Sequence, residues 1–195
     1  MRLRLLLGLA LSAANLFGAG CATTSNATGS GEAAAYFPLA VGNRWSYRIV
    51  PGPPEPQQVE IVEQDAQGFF VDSRGGRLAP RTDGVFDGRR FLLQEPLVLE
   101  KTWTAQLKNE PVERFKITAT DAVVVVAAGT FSPCVVVRGE QPTPPGAPPG
   151  KLIATWTYAR DVGLIRFEQQ VHLGSDAPQT TTTMELVSFE VKPAP

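Results

Sequence analysis

Residues 113–126 read ERFKITATDAVVVV, and their reading decides the fold class. Up to Thr120 they alternate: Phe115, Ile117 and Ala119 fall on one face, Arg114, Lys116 and Thr118 on the other. A period of two is that of a half-buried β-strand. Val123-Val124-Val125-Val126 then drops the alternation, which predicts a central strand covered on both faces. Ala128-Gly129-Thr130 turns the chain, and Cys134-Val135-Val136-Val137 returns as the expected neighbour.

The same grammar runs outward in both directions. Toward the C-terminus, 141–150 (QPTPPGAPPG) reads as a stiff proline-rich tip between strands. Leu152, Ala154, Trp156 and Tyr158 share one face, and Ile165, Phe167, Val171 and Leu173 share another. After a loop over 174–179, a last strand is expected over 180–192, burying Val187, Phe189 and Val191. Toward the N-terminus, Trp45, Tyr47 and Ile49 alternate with Ser46 and Arg48 until the prolines of 51–56 stop the strand. A strand over 57–65 points Val59 and Ile61 inward. Short strands follow between Gly75-Gly76, Asp83-Gly84 and Asp87-Gly88, since glycine accepts the positive φ of tight hairpin turns.

The chain also echoes itself. Pro38 stands seven residues before Trp45, and Pro96 seven before Trp103. Residues 59–66 can be laid on 115–122, although the offsets of 58 and 56 require an insertion or deletion. No amphipathic helix is legible after residue 21. Many short strands with local turns predict an all-β antiparallel meander of roughly nine to eleven strands. Such a sheet must curl to manage its edges, so a strongly curved sheet, half-barrel or barrel is expected.

The first 21 residues carry the address. Arg2 and Arg4 precede the apolar run Leu5–Leu11, and small residues end in Gly18-Ala19-Gly20-Cys21. This is the order of a secretory signal, and the run is shorter than the about 20 apolar residues a spanning helix needs. Gly18-Ala19-Gly20-Cys21 resembles a bacterial lipobox, with Gly18 where leucine is usual. The resemblance implies cleavage before Cys21 and acylation of its sulfur through diacylglycerol. Residues 1–20 are then the signal peptide, 21–35 a lipid-anchored tether, and 36–195 a single β-domain. Ala22 after the cysteine points to the outer membrane, with the domain facing the periplasm.

Composition narrows the partners. Removing Arg2 and Arg4 from the 18 basic groups leaves 16 against 19 acidic ones, a net charge of −3 with no basic patch, so nucleic acid is not expected as a partner. With Cys21 acylated, Cys134 has no disulfide partner and reads as a small buried core residue. His172 is the one histidine, and it falls on the polar face with Arg166, Glu168 and Gln170. One histidine and one thiol build no typical zinc site, so neither metal nor cofactor is expected. Ser132, His172 and Asp161 could be drawn as a triad, but no G-x-S-x-G elbow supports it. Asp83 and Asp87 read as turn residues beside glycine, not as paired catalytic carboxylates. Trp45, Trp103 and Trp156 read as core. Their alternative role is to line a cavity for an apolar ligand.

Several stretches together resemble the β-rich domains of bacterial secreted lipoproteins. They are Tyr36-Phe37-Pro38-Leu39 with Gly42, Trp45 and Tyr47; Ala128-Gly129-Thr130-Phe131 with Cys134; and Trp156-Thr157-Tyr158 with Asp161–Ile165. The resemblance implies fold and address, and no reaction. By analogy it implies a fold similar to the curved-sheet carriers that shuttle lipids or lipoproteins across the periplasm. The expectation is a non-catalytic lipoprotein acting through protein contacts or structure. The alternative is a carrier or sensor of a hydrophobic ligand held in the curved sheet, and a hydrolase comes last.

Overall fold

In the computed structural model the residues described are 31–106, 111–174, 178 and 180–192. The expected signal sequence, Cys21 and the expected tether up to residue 30 lie outside them. The alternating stretch becomes β8 (Glu113–Val126), paired with β9 (Gly129–Pro142) in the longest hairpin of the molecule. β10 (Gly150–Ala159), β11 (Gly163–Leu173) and β12 (Thr180–Glu190) continue the meander. On the other side lie β1 (Arg44–Val50), β2 (Gln57–Gln64), β3 (Phe70–Asp72), β4 (Arg77–Arg81), β5 (Gly84–Phe86), β6 (Phe91–Gln94) and β7 (Thr102–Ala105).

These twelve strands form one antiparallel sheet in the order β6-β5-β4-β3-β2-β1-β12-β11-β10-β9-β8-β7. Two meanders, β1–β6 and β7–β12, therefore lie side by side and join along β1 and β12. The sheet curls until its two edge strands, β6 and β7, face each other. No ladder joins that pair among the described residues. The Trp103 indole of β7 instead donates to Phe91 O of β6 at 3.0 Å. Arg90, just before β6, pairs with Glu113 of β8. The expected curved, nearly closed all-β sheet is what forms, with one strand more than the upper expectation because 70–94 divides into four short pieces. The echoing stretches stand at matching places, with Trp45 on the first strand of one meander and Trp103 on the first strand of the other.

The folded unit starts earlier than residue 36. Glu32–Tyr36 form a 3-10 turn in which Ala33 and Tyr36 are buried. Ala33 N–H donates to Glu95 Oε1 at 2.6 Å, and Asp161 N–H donates to Ala35 O at 2.7 Å. Residues 32–35, read from composition as tether, are thus pinned between the end of β6 and the β10–β11 turn. Small apolar side chains fit that gap, which composition alone could not show.

The reading of Val123–Val126 needs correction. β8 lies next to the edge of the sheet, and Val123 and Val125 are 68% and 64% exposed while Val126 is buried. Register shifts between Ile117 and Val124 bend the hairpin, as bulges do. Its far half leans back over the sheet: Ala128 N–H donates to Leu186 O at 3.1 Å, and Arg166 Nη2 donates to Val125 O at 2.9 Å. One face of the valine run is packed and the other is bare. The last strand is also corrected. A register shift against β1 at Ser46/Tyr47 puts Leu186 opposite Tyr47 and makes Leu186 the buried residue, while Phe189 is 38% exposed. A slip of one residue exchanges the faces of a strand, so Leu186 and not Val187 takes the inner face, while Phe189 stays opposite Trp45 with its ring centroid 6.0 Å from that of Phe131.

Two apolar clusters fill the sheet. One, at the β6–β7 seam, gathers Tyr36, Leu93, Trp103, Phe115, Ile117 and Tyr158. The other gathers Trp45, Tyr47, Ile61, Cys134, Ile165 and Leu186 beneath the bent hairpin.

Candidate functional site

A partly enclosed apolar cavity of about 240 Å³ is bordered by residues of both clusters. Trp45 and Tyr47 enter its wall from β1 because their odd positions face inward. Trp45 Nε1 donates to Val162 O at 2.7 Å, and Tyr47 Oη donates to Leu164 O at 2.9 Å. Each bond crosses the curl of the sheet from β1 to the start of β11. The rings' only donors are thereby satisfied, and they present hydrocarbon to the interior. Trp156 comes from β10, Met184 from β12, Ile61 from β2 and Leu78 from β4. Phe37, Pro38 and Leu39, directly after the buried 3-10 turn, complete the wall. Asp72 is the one charged residue at its border.

The three tryptophans part company. Trp45 and Trp156 line the cavity. Trp103 stacks on Phe115 at the seam, with ring centroids 5.2 Å apart and planes at 7°, and stands outside the cavity wall. Trp156 bridges the regions, its ring 5.8 Å from Phe115 and 5.5 Å from Phe167. Sequence reasoning missed Asp72, Leu78 and Met184, whose roles depend on how short strands meet across the sheet.

Burial pushes the Tyr47 and Tyr158 hydroxyls well above the ordinary tyrosine range. It also raises the Cys134 thiol, which is fully buried with Sγ 3.4 Å from Phe131 O. Cys134 is therefore an inert core thiol, as expected. Asp87 Oδ1 accepts from the backbone N–H groups of Arg89 and Arg90 at 2.8 Å each, which is the work of a turn residue. His172 keeps the face expected of it, opposite Lys151, but is buried at 7% exposure instead of solvated. It shares that face with Ile153, itself buried, and its Nε2 lies 3.3 Å from Gln170 Oε1. His172 lies near the far end of β11 and Asp161 in the turn before that strand, about 30 Å apart at strand spacing, so the drawn triad does not form. No group of three or more His, Cys, Asp or Glu side chains able to hold a metal occurs among the described residues. No described helix is long and apolar enough to cross a membrane.

The described chain is thus an all-β domain, a curled twelve-stranded antiparallel sheet around an apolar cavity. No family model matches it, and no curated protein matches it. Two solved structures are similar in overall shape. One is a candidate lipoprotein of Parabacteroides distasonis, 13% identical, with a TM-score of 0.42 over 80% of this chain and 98% of that one. The other is a candidate exported protein with a YmcC-like fold from Bacteroides fragilis, 13% identical, with a TM-score of 0.44 over 79% and 98%.

Proposed function

We propose that the chain is a bacterial lipoprotein, anchored through Cys21 to the periplasmic face of the outer membrane, whose non-catalytic β-domain holds a hydrophobic ligand. The observation that carries the ligand reading is the apolar cavity between Trp45 and Trp156. A space lined mostly by hydrocarbon gains most from an apolar guest, about 0.8 kcal/mol for each methylene taken out of water. What supports the anchor is the order of charged, apolar and small residues before Cys21. The ten residue steps from Cys21 to Gly31 span at most about 35 Å, so the cavity, with Phe37 in its wall, stays within reach of a bilayer.

The test is native mass spectrometry after gentle extraction, on wild type and on Met184→Trp, which fills the cavity. Wild type should carry an added apolar mass that the variant lacks. A bare wild-type mass, together with no uptake of the apolar dye N-phenyl-naphthylamine, overturns the ligand reading. Cys21→Ala should leave the membrane pellet, and a variant that still pellets overturns the anchor. The alternative of action through protein contacts is favoured by the bare outer face of the bent hairpin, where Val123 and Val125 stand side by side.

A further inference from the structure

Two residues of the cavity wall also belong to a neighbouring groove. Asp72 and Leu78 border both the cavity and this polar groove of about 480 Å³. That groove lies between two glycine-bearing turns and is lined by Arg77, Asp87 and Arg89 as well as Asp72. We propose that cavity and groove form one site for a single-chain amphiphile, with the acyl tail in the cavity and a zwitterionic head in the groove. This rests on the ligand reading of the cavity and names its ligand class.

The tail is hydrocarbon where it meets Trp45 and Tyr47, because Nε1 and Oη already donate to backbone carbonyls. It must also be slender. A volume of about 240 Å³ is below the roughly 300 Å³ at which drug-sized pockets begin. One chain fits such a space, and a sterol-sized or two-chain lipid does not.

The head chemistry follows from the groove. Asp72 Oδ1 is fixed by the backbone N–H groups of Arg74 at 2.8 Å and Gly76 at 2.9 Å, so the carboxylate is held in place at the junction of cavity and groove. Its Oδ2 remains an acceptor for an ammonium group. Arg77 is held over the Phe69 ring, 4.4 Å from its centroid. Its bonds to Asp65 and Gln67 both use Nη2, which leaves donors on Nη1 and Nε for a phosphate. A head with both charges satisfies both sides. A carboxylate joined directly to the tail would lie against Asp72 and be repelled.

The whole chain carrying Cys21→Ala, loaded with N-phenyl-naphthylamine, is titrated with lysophosphatidylethanolamine, with a fatty acid and an alkanol of the same length, and with diacyl phosphatidylethanolamine. The lysolipid should displace the dye about ten-fold more tightly than the fatty acid, the size of one charge-assisted hydrogen bond. The diacyl lipid should not displace it. Asp72→Asn with Arg77→Gln should erase the preference while the alkanol still displaces the dye. In Asp72→Asn the amide oxygen still accepts the two turn bonds. Asp65→Asn, which breaks the Arg77 ion pair but keeps Arg77, should retain the preference. Fatty acid binding as tightly as lysolipid, or a preference surviving the double variant, overturns the amphiphile site while the cavity stands. Failure of every ligand, alkanol included, to displace the dye overturns the cavity reading itself.

Discussion

The two halves of this sheet meet twice, and the meetings differ. At one junction seven residues of β1 pair with β12 along a backbone ladder. At the other, β6 and β7 face each other without a ladder, and the gap is closed by side chains: the Trp103 indole on Phe91 O, the Arg90–Glu113 pair, and the apolar cluster around Leu93 and Phe115. Ladder bonds use groups that every residue carries, so the first junction is insensitive to side-chain identity. The second depends on a few particular residues. The difference shows how a sheet can approach a barrel without completing its last row of hydrogen bonds.

The largest expected effect therefore lies at the seam. Trp103→Ala removes the stack on Phe115 and the bond to Phe91, and should cost about 3–5 kcal/mol in denaturant melts. Trp103→Phe keeps a ring against Phe115 and loses the indole hydrogen bond, so about 1 kcal/mol is expected. Amide exchange in β6 and β7 should accelerate in Trp103→Phe while β1 and β12 keep wild-type rates. Equal acceleration at both junctions would show that the seam is not a separate weak point.

A second effect draws on both junctions. Tyr47 faces Leu186 beside the ladder, and Tyr158 packs in the seam cluster; burial raises both hydroxyls above their unfolded value near 10. The unfolded chain then loses these protons first as pH rises. The stability contributed is fully present below about pH 10 and declines above it. Buried Cys134 adds to the decline from about pH 8.5, its ordinary range. Melting midpoints should be flat through neutral pH and fall above it, and the fall should shrink in Tyr158→Phe. A midpoint unchanged up to pH 11 would contradict the burial of both rings.

The smallest effect is expected at the ladder. Arg44 bridges Glu60 of β2 and Glu190 of β12 on the outer surface, at 3.0 and 3.6 Å. Arg44→Ala should leave the denaturation midpoint unchanged within error at moderate salt, since exposed ion pairs add little. A clear loss would mean that side chains hold this junction too, and the contrast between the junctions would fail.

Much of this architecture was written in local chemistry. The two-residue period of Phe115, Ile117 and Ala119, or of Trp45 and Tyr47, is a property of a few adjacent residues. So are the glycine turns, and so is the burial of Cys134 among valines. Strand identity, antiparallel pairing and curvature could be read from these, and the order of the strands in the sheet could not. Val123, Phe189 and His172 were misread because each obeys a rule about its own strand, whereas its exposure is set by register and packing against other strands. The same holds for the candidate site. Two tryptophans of its wall were visible as candidates, yet nothing near Trp103 distinguishes it from Trp45 and Trp156. Only the curl of the sheet decides that two tryptophans line a space while the third closes a seam, and that Asp72 stands where an apolar cavity meets a polar groove. Periodicity specifies which face a side chain takes, whereas an unfilled volume exists only once distant strands have come together.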